Sequence, residues 1–338
     1  MQDRGTYPLQ SDFRQSFRKV AGKLEIDGAT VRHRIKKLRE SGFMKDLYVF
    51  ANPGLFYLRV AHARVVVSQP GQLMMKDDAI RKIKLVHGVW TIVNHFGNSL
   101  RVVLYFEDEA SLRKQIELIA RISNCEDVLY REVHFPPCGM ALSEDDLALV
   151  VTIQTDPTKS YGRIAREIGL SYKTVKRMLE RMHEGRALFI IPSLVPRSLT
   201  GATLAELLVL YENPEAMRKA NGAIASHVDE YLMSAQLGDP EHLLFLLALT
   251  NISQVKEILD WVRRQPGVKN AFLDLVEERV ELYEAFSRQL NRKLAQVRSA
   301  GHGRHQTTRE FGHSRPGEDK TLGHEVRLSG VGLSAPMA

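Results

Sequence analysis

Two short stretches carry polar and basic side chains at spacings that place them on one outward helical face. The first holds Thr30, Arg32, His33 and Lys36, the second Lys173, Thr174, Lys176, Arg177 and Arg181. A guanidinium can fork onto guanine O6 and N7, whereas a longer-reaching cation meets phosphate oxygens. Arg32 and Arg177 suit the first task, and Lys36 and Arg181 the second. His33 is read as a solvated or phosphate-facing residue without a catalytic role. The chemistry on offer is the binding of a polyanion. No catalytic residue is assigned, and the expectation is a protein that is not an enzyme.

Charge placement points the same way. The chain of 338 residues has a net charge of +7. Residues 14–45 hold ten Lys/Arg against three Asp/Glu, and residues 159–187 hold eight against three. These two segments account for more than the whole excess, which is the electrostatic footprint of a nucleic-acid binder.

The two segments are copies of one another. SFRKVAGKLEIDGATVRHRIKKLRESGFM and SYGRIAREIGLSYKTVKRMLERMHEGRAL align without a gap, and the second begins 144 residues after the first. Five positions are identical, Ser16, Ala21, Thr30, Val31 and Glu40 in the first copy, while the apolar positions match pair by pair. Val20, Ala21 and Leu24 mark a short helix, and Val31, Ile35 and Leu38 the stripe of a second one. Asp27 and Ser171 stand where the second helix needs an N-cap. Gly169 suits the turn between the helices. Glu25 holds that place in the first copy and is expected to cost about 1 kcal/mol if the backbone is left-handed there. Helix, tight turn and helix is a helix-turn-helix, whose second helix leads into the major groove. FMKDLYVF and ALFIIPSL follow the two copies as β-rich stretches and are expected to form a wing on each. SEDDLALVVTIQ supplies a supporting helix before the second copy. The same offset in the first copy falls on MQDRGTYPLQ, a poor helix, so the true start is expected upstream of Met1.

After each copy the periodicity alternates. VAHARVVVS, MMKDDAIRKIKLV, VWTIVNHF, SLRVVLYF, EASLRKQIELIARI and DVLYREVHF read as βαββαβ, the ferredoxin-like split unit. LAELLVLY through VKNAFLDLVEERVELY repeats that order, and both units carry a glycine turn before the third strand, FGNS and LGDP. The fold class is therefore α+β: two winged helix-turn-helix domains alternating with two ferredoxin-like βαββαβ domains, then a disordered C-terminal tail. The boundaries read as 1–50 and 142–197 for the winged helices and 55–137 and 201–285 for the ferredoxin-like units. A C-terminal helix spans 286–298 and the tail 299–338.

This order resembles the Lrp/AsnC (leucine/asparagine-responsive) transcription regulators, over about residues 9–285 and as two full copies, in the tandem arrangement of archaeal members. Its most specific pieces are the second helix-turn-helix and LGDPEHLLFLLALTNISQVKEIL. The resemblance implies a sequence-specific regulator of double-stranded DNA. It implies modulation by a small effector such as an amino acid, and a site bordered by Gly97 and Asn98 and by Gly238 and Asp239. Asn98 stands where Asp239 stands in the second copy and removes an ammonium partner. A regulator of this kind works as a dimer, and here the dimer is fused into one chain, an intrachain pseudo-dimer able to assemble further. The sirohaem decarboxylases share the layout and are the rival. They would use groups such as His87, His95, Arg101 and Tyr105. A non-specific architectural DNA binder is the third reading.

The remaining signals are exclusions. No apolar run reaches bilayer-spanning length, and MQDRGTYPLQ has no secretory core. Cys125 and Cys138 form no CxxC pair, and a thiol-poor chain without an export signal is read as cytoplasmic and reduced. His302, His305, His313 and His324 are too irregularly spaced for a metal site. No metal or cofactor is expected.

Overall fold

In the computed structural model the residues described are 21–22, 25–67, 73–125, 128–133, 137–138, 140–154, 156–228, 231–236, 242–282, 287–288, 291–292 and 295. The expectations placed on residues 1–20, on Gly238 and Asp239, and on the tail lie outside them. Of the expected C-terminal helix, Ser287, Arg288, Asn291, Arg292 and Ala295 are helical.

The second copy forms three helices, α4 (Glu144–Gln154), α5 (Tyr161–Ile168) and α6 (Tyr172–Glu184). Its apolar stripe is buried: Ile164 and Ala165 of α5 meet Val175, Met178 and Met182 of α6 over Leu147, Leu149, Val150 and Ile153 of α4. Full burial of one such side chain contributes about 1.5–3 kcal/mol, which decides where these short helices sit. The second helix of the first copy is α1 (Gly28–Glu40), with Val31 buried. Leu38 on the same stripe keeps 38% exposure, where its counterpart Met182 is fully buried.

The turn backbone is shared by the two copies. Gly169 has φ 71° and Glu25 has φ 54°. Both lie in the left-handed region, where a Cβ is unfavourable. We therefore expect Glu25→Gly to raise stability by about 1 kcal/mol in chemical denaturation. A neutral or negative change would mean that the exposed Glu25 side chain makes up for its backbone.

The β-rich stretches depart from the expected wings. β1 (Met44–Ala51) and β6 (Leu188–Leu194) pair with each other as a two-stranded antiparallel ladder across the copies. Leu47 faces Pro192 and Tyr48 faces Ile191. Under the offset of 144 these two pairs exchange, so the ladder is centred on a local pseudo-two-fold. Its core, Val49, Phe50, Leu188 and Phe189, merges with that of the second copy's helices. Each stretch finds an edge in the other copy rather than in its own, because an isolated strand must pair to satisfy its backbone.

The two later units have the expected element order. The first is β2 (Arg59–Val66), α2 (Leu73–Ile83), β3 (Val89–His95), β4 (Ser99–Phe106), α3 (Glu109–Ser123) and β5 (Leu129–Val133). The second is β7 (Thr203–Tyr211), α7 (Pro214–His227), β8 (Tyr231–Gln236), β9 (His242–Leu249), α8 (Ser253–Arg263) and β10 (Val268–Glu281). All eight strands join one sheet in the order β5-β2-β4-β3-β10-β7-β9-β8. The result is a mixed α+β fold with antiparallel sheets.

β10 makes the junction. Its first half pairs with β7, from Val268 opposite Tyr211 to Leu275 opposite Ala205. Its second half pairs with β3, from Val276 opposite His95 to Glu281 opposite Thr91. β5, its counterpart, has five residues against fourteen.

One face of each unit packs on its own helices: Ala61, Ala63 and Val65 with Ile80, Ile83, Leu112 and Ile119, and Ala205, Leu207 and Val209 with Ile224 and Val262. The other faces meet. Val93 packs with Leu204, Leu246 and Val276, and Leu208 lies against Val60, Val103 and Val133. Burial on both faces explains why RVVLYF is apolar almost without alternation.

Candidate functional site

The basic faces stand on helices whose leading ends are capped from their own sequence. Asp27 Oδ1 accepts hydrogen bonds from the amides of Ala29 at 2.7 Å and Thr30 at 2.8 Å. Ser171 Oγ accepts from the Thr174 amide at 3.1 Å. These caps set both hydroxyls. Thr30 Oγ1 donates to Asp27 Oδ2 at 2.5 Å, and Thr174 Oγ1 lies 2.8 Å from Ser171 Oγ. Both threonine hydroxyls therefore close the caps at the leading ends of the two helices.

Of the remaining positions, Arg32, His33 and Lys36 on α1 are exposed, as are Lys173, Lys176 and Arg177 on α6. Lys36 pairs with Glu40 at 3.5 Å and Lys176 with Glu180 at 3.7 Å. Such exposed i,i+4 pairs contribute a few tenths of a kcal/mol and yield readily to a phosphate. Arg181 differs. Its guanidinium is bonded to Asp146, a carboxylate with 1% exposure in the first turn of α4. Ser143 donates to the same carboxylate from its amide at 3.0 Å and its hydroxyl at 2.9 Å. Arg181 thus ties α6 to its supporting helix, a role that helical spacing does not reveal.

A second polar group lies buried where the two units meet. Glu206 of β7, with 4% exposure, accepts from Arg101 of β4 through both carboxylate oxygens, Nε to Oε2 at 2.7 Å. His95 Nε2 lies 3.0 Å from Glu206 Oε2, and His95 Nδ1 lies 3.1 Å from Ser99 Oγ. Burial pushes the Glu206 carboxyl up. The Arg101 charge and the hydrogen bonds from His95 and Arg101 outweigh that and hold it far below the usual carboxylate range. His62, on β2, is held well below the ordinary histidine value by burial and by the charges of Arg101 and Arg279. Its Nδ1 is closed off from solvent without a hydrogen-bond partner among the described residues. His95 and Arg101 are thus brought together, and by a residue from the other unit. His87 and Tyr105 meet edge to face at 6.0 Å and are not part of the cluster. Glu206 went unnoticed in the sequence. Its signal is a lone carboxylate inside the apolar run LAELLVLY.

The glycine turn at FGNS is filled from within the protein. Gly97 has φ 91°, as the β3–β4 hairpin requires. Lys76, with 4% exposure, donates to the carbonyls of Gly97, at 2.7 Å, and His95. Asn98 exchanges backbone and side-chain hydrogen bonds with Val67. Gly97 and Asn98 therefore hold a hairpin with a buried ammonium behind it. Gly238 and Asp239 lie outside the described residues.

No protein-family profile matches the chain, and no curated protein is detectably similar to it in sequence. Among solved structures, the siroheme decarboxylase NirDL matches 85% of this chain and 93% of its own, with 17% identity and a TM-score of 0.51. That likeness shows the fold. NirDL in co-complex with an iron-uroporphyrin III analogue matches with 17% identity, covering 87% of this chain and 97% of that chain, at a TM-score of 0.49. AsnC of E. coli matches 41% of this chain and 94% of its own, with 13% identity and a TM-score of 0.33. The expectation that the chain is not an enzyme is corrected here. An enzyme is built on this same fold over most of the chain, so a non-catalytic role does not follow from the layout. Among the described residues no helix is long and apolar enough to cross a membrane. Nor does any group of three or more His, Cys, Asp or Glu stand ready to hold a metal.

Proposed function

We propose that the chain is a sequence-specific DNA-binding transcription regulator: a dimeric regulator of the Lrp/AsnC kind drawn into one polypeptide, with two helix-turn-helix domains that share the β1–β6 ladder and two ferredoxin-like domains. The observation that carries this reading is the symmetric β1–β6 ladder, which joins two helices with exposed basic faces about a local pseudo-two-fold. Two recognition helices held as a pair suit two half-sites about one helical turn apart. Arg32 and Arg177 are the base readers, and Lys36, Lys173 and Lys176 hold phosphate. The faces GATVRHR and YKTVKRM are unlike, so the operator is asymmetric. Selection of the full chain against random duplex DNA at two salt concentrations tests this. A two-part motif with unlike halves supports it. Binding that fades with salt and enriches no sequence indicates an architectural protein. Absence of binding at low salt ends the DNA reading.

A second reading, a tetrapyrrole decarboxylase, is favoured by the extent of the likeness to NirDL and by His95 and Arg101 standing together. In its disfavour, both are engaged with Glu206 in the interior. Incubation with sirohaem, followed by absorbance and by mass spectrometry for loss of carbon dioxide, tests it directly.

A further inference from the structure

A cavity of about 580 Å³ opens beside the C-terminal end of α1, between β1, the start of β3 and the end of α4. This size is within the range of small-ligand sites. None of the residues discussed so far as readers lines it, and it is separate from the Glu206 cluster. Its apolar wall is aromatic. Trp90 stacks on the buried Phe50 with ring centroids 4.3 Å apart, and Tyr48 stands beside them in the lining. Arg39 from the last turn of α1 and Lys45 from β1 also line it. Both are exposed, and neither has an ion-pair partner among the described residues. On the remaining side are Asp46 and Asp156; Asp156 Oδ1 already accepts from the Thr158 amide at 2.9 Å and hydroxyl at 2.6 Å, and its Oδ2, like the Asp46 carboxylate, is able to accept from hydroxyl or amino groups.

We infer that this cavity binds a nucleoside monophosphate. Each part of the lining has a counterpart in that chemistry. A planar base stacks on the Trp90 wall, as aromatic side chains and bases do in single-stranded nucleic-acid sites. The phosphate takes the two unpartnered cations, Arg39 through a bidentate fork. Sugar hydroxyls and exocyclic amines donate to Asp46 and Asp156, which would repel a ligand carrying negative charge throughout. A phosphate alone leaves the aromatic wall unused, and a nucleoside alone leaves the cations unpaired. The inference does not depend on DNA binding and is tested without DNA.

The chain contains two tryptophans, Trp90 and Trp261. Trp261→Phe in the full chain leaves Trp90 as the sole indole, excited at a wavelength where nucleotides do not absorb. AMP, GMP, CMP and UMP are titrated separately, with adenosine and inorganic phosphate as the two partial ligands. We expect saturable quenching by at least one monophosphate, with a Kd no tighter than roughly 10 µM for a ligand of this size. Adenosine and inorganic phosphate bind at least about tenfold more weakly, as does the best monophosphate to Arg39→Gln or Lys45→Gln, each of which loses one charge-assisted contact. Equilibrium dialysis of the unmutated chain must give the same Kd. The inference is overturned if no monophosphate binds, if adenosine or phosphate alone binds as well, or if both glutamine variants, folded by circular dichroism, keep full affinity.

Discussion

Replacing Lys173, Lys176 and Arg177 together by alanine is expected to weaken binding to the selected duplex by at least about a hundredfold near 0.15 M salt. The slope of log K against log salt should fall by about 2, because two phosphate contacts each release counterions. The three side chains are exposed and belong to none of the buried cores, so the variant should keep its thermal unfolding midpoint. Arg177→Lys separates base reading from charge. It keeps the positive charge and loses the planar fork, costing about 1–3 kcal/mol and relaxing preference at one base pair. Arg181→Ala behaves differently. Among the described residues it leaves the buried Asp146 carboxylate with only Ser143 as partner, and its effect should appear in the unfolding midpoint. If the triple variant binds as the parent does, α6 is not a DNA reader. If Arg181→Ala alone abolishes binding while stability holds, its tie to Asp146 is incidental.

The second large effect is expected at Glu206. Glu206→Ala leaves the Arg101 guanidinium and His95 without their shared acceptor in the interior, at a cost of about 3–5 kcal/mol. The pH dependence is a sharper test than the magnitude. Glu206 and His62 both have folded-state pKa values below their unfolded ones. Between the two values the unfolded chain binds more protons, so falling pH favours unfolding. His62 contributes stability that is complete above about pH 6.5, the ordinary histidine value, and is lost as pH falls below it. Glu206 contributes stability present above about pH 4.3 and lost in more acid solution. Stability by urea unfolding should therefore decline in two stages from pH 8 to pH 3. His62→Gln should flatten the first stage and Glu206→Gln the second. A wild-type profile that is flat down to pH 5 would mean that His62 titrates normally.

Much of this architecture could be read from residue order. Caps, helical stripes and strand runs are local, each set by side chains three or four positions apart on a helix or alternating along a strand. Asp27 and Ser171 cap the helices expected of them, and Glu25 has the positive φ that alignment with Gly169 implied. The repeat was legible for the same reason, since apolar periodicity persists where identity is lost.

Partnership across long stretches of chain was not legible. The sequence by itself determined two copies of one basic segment, two βαββαβ orders and a basic face on the second helix of each copy. Only the tertiary structure decided that β1 pairs with β6 instead of folding into a separate wing, and that β10 bridges the two units. It also decided that Arg181 belongs to Asp146, 35 residues away, and Arg101 to Glu206, 105 residues away. The physical reason is common to all four. An edge strand or a charge leaving water needs a complement, many residues of the right type are available, and compaction selects the one that satisfies it.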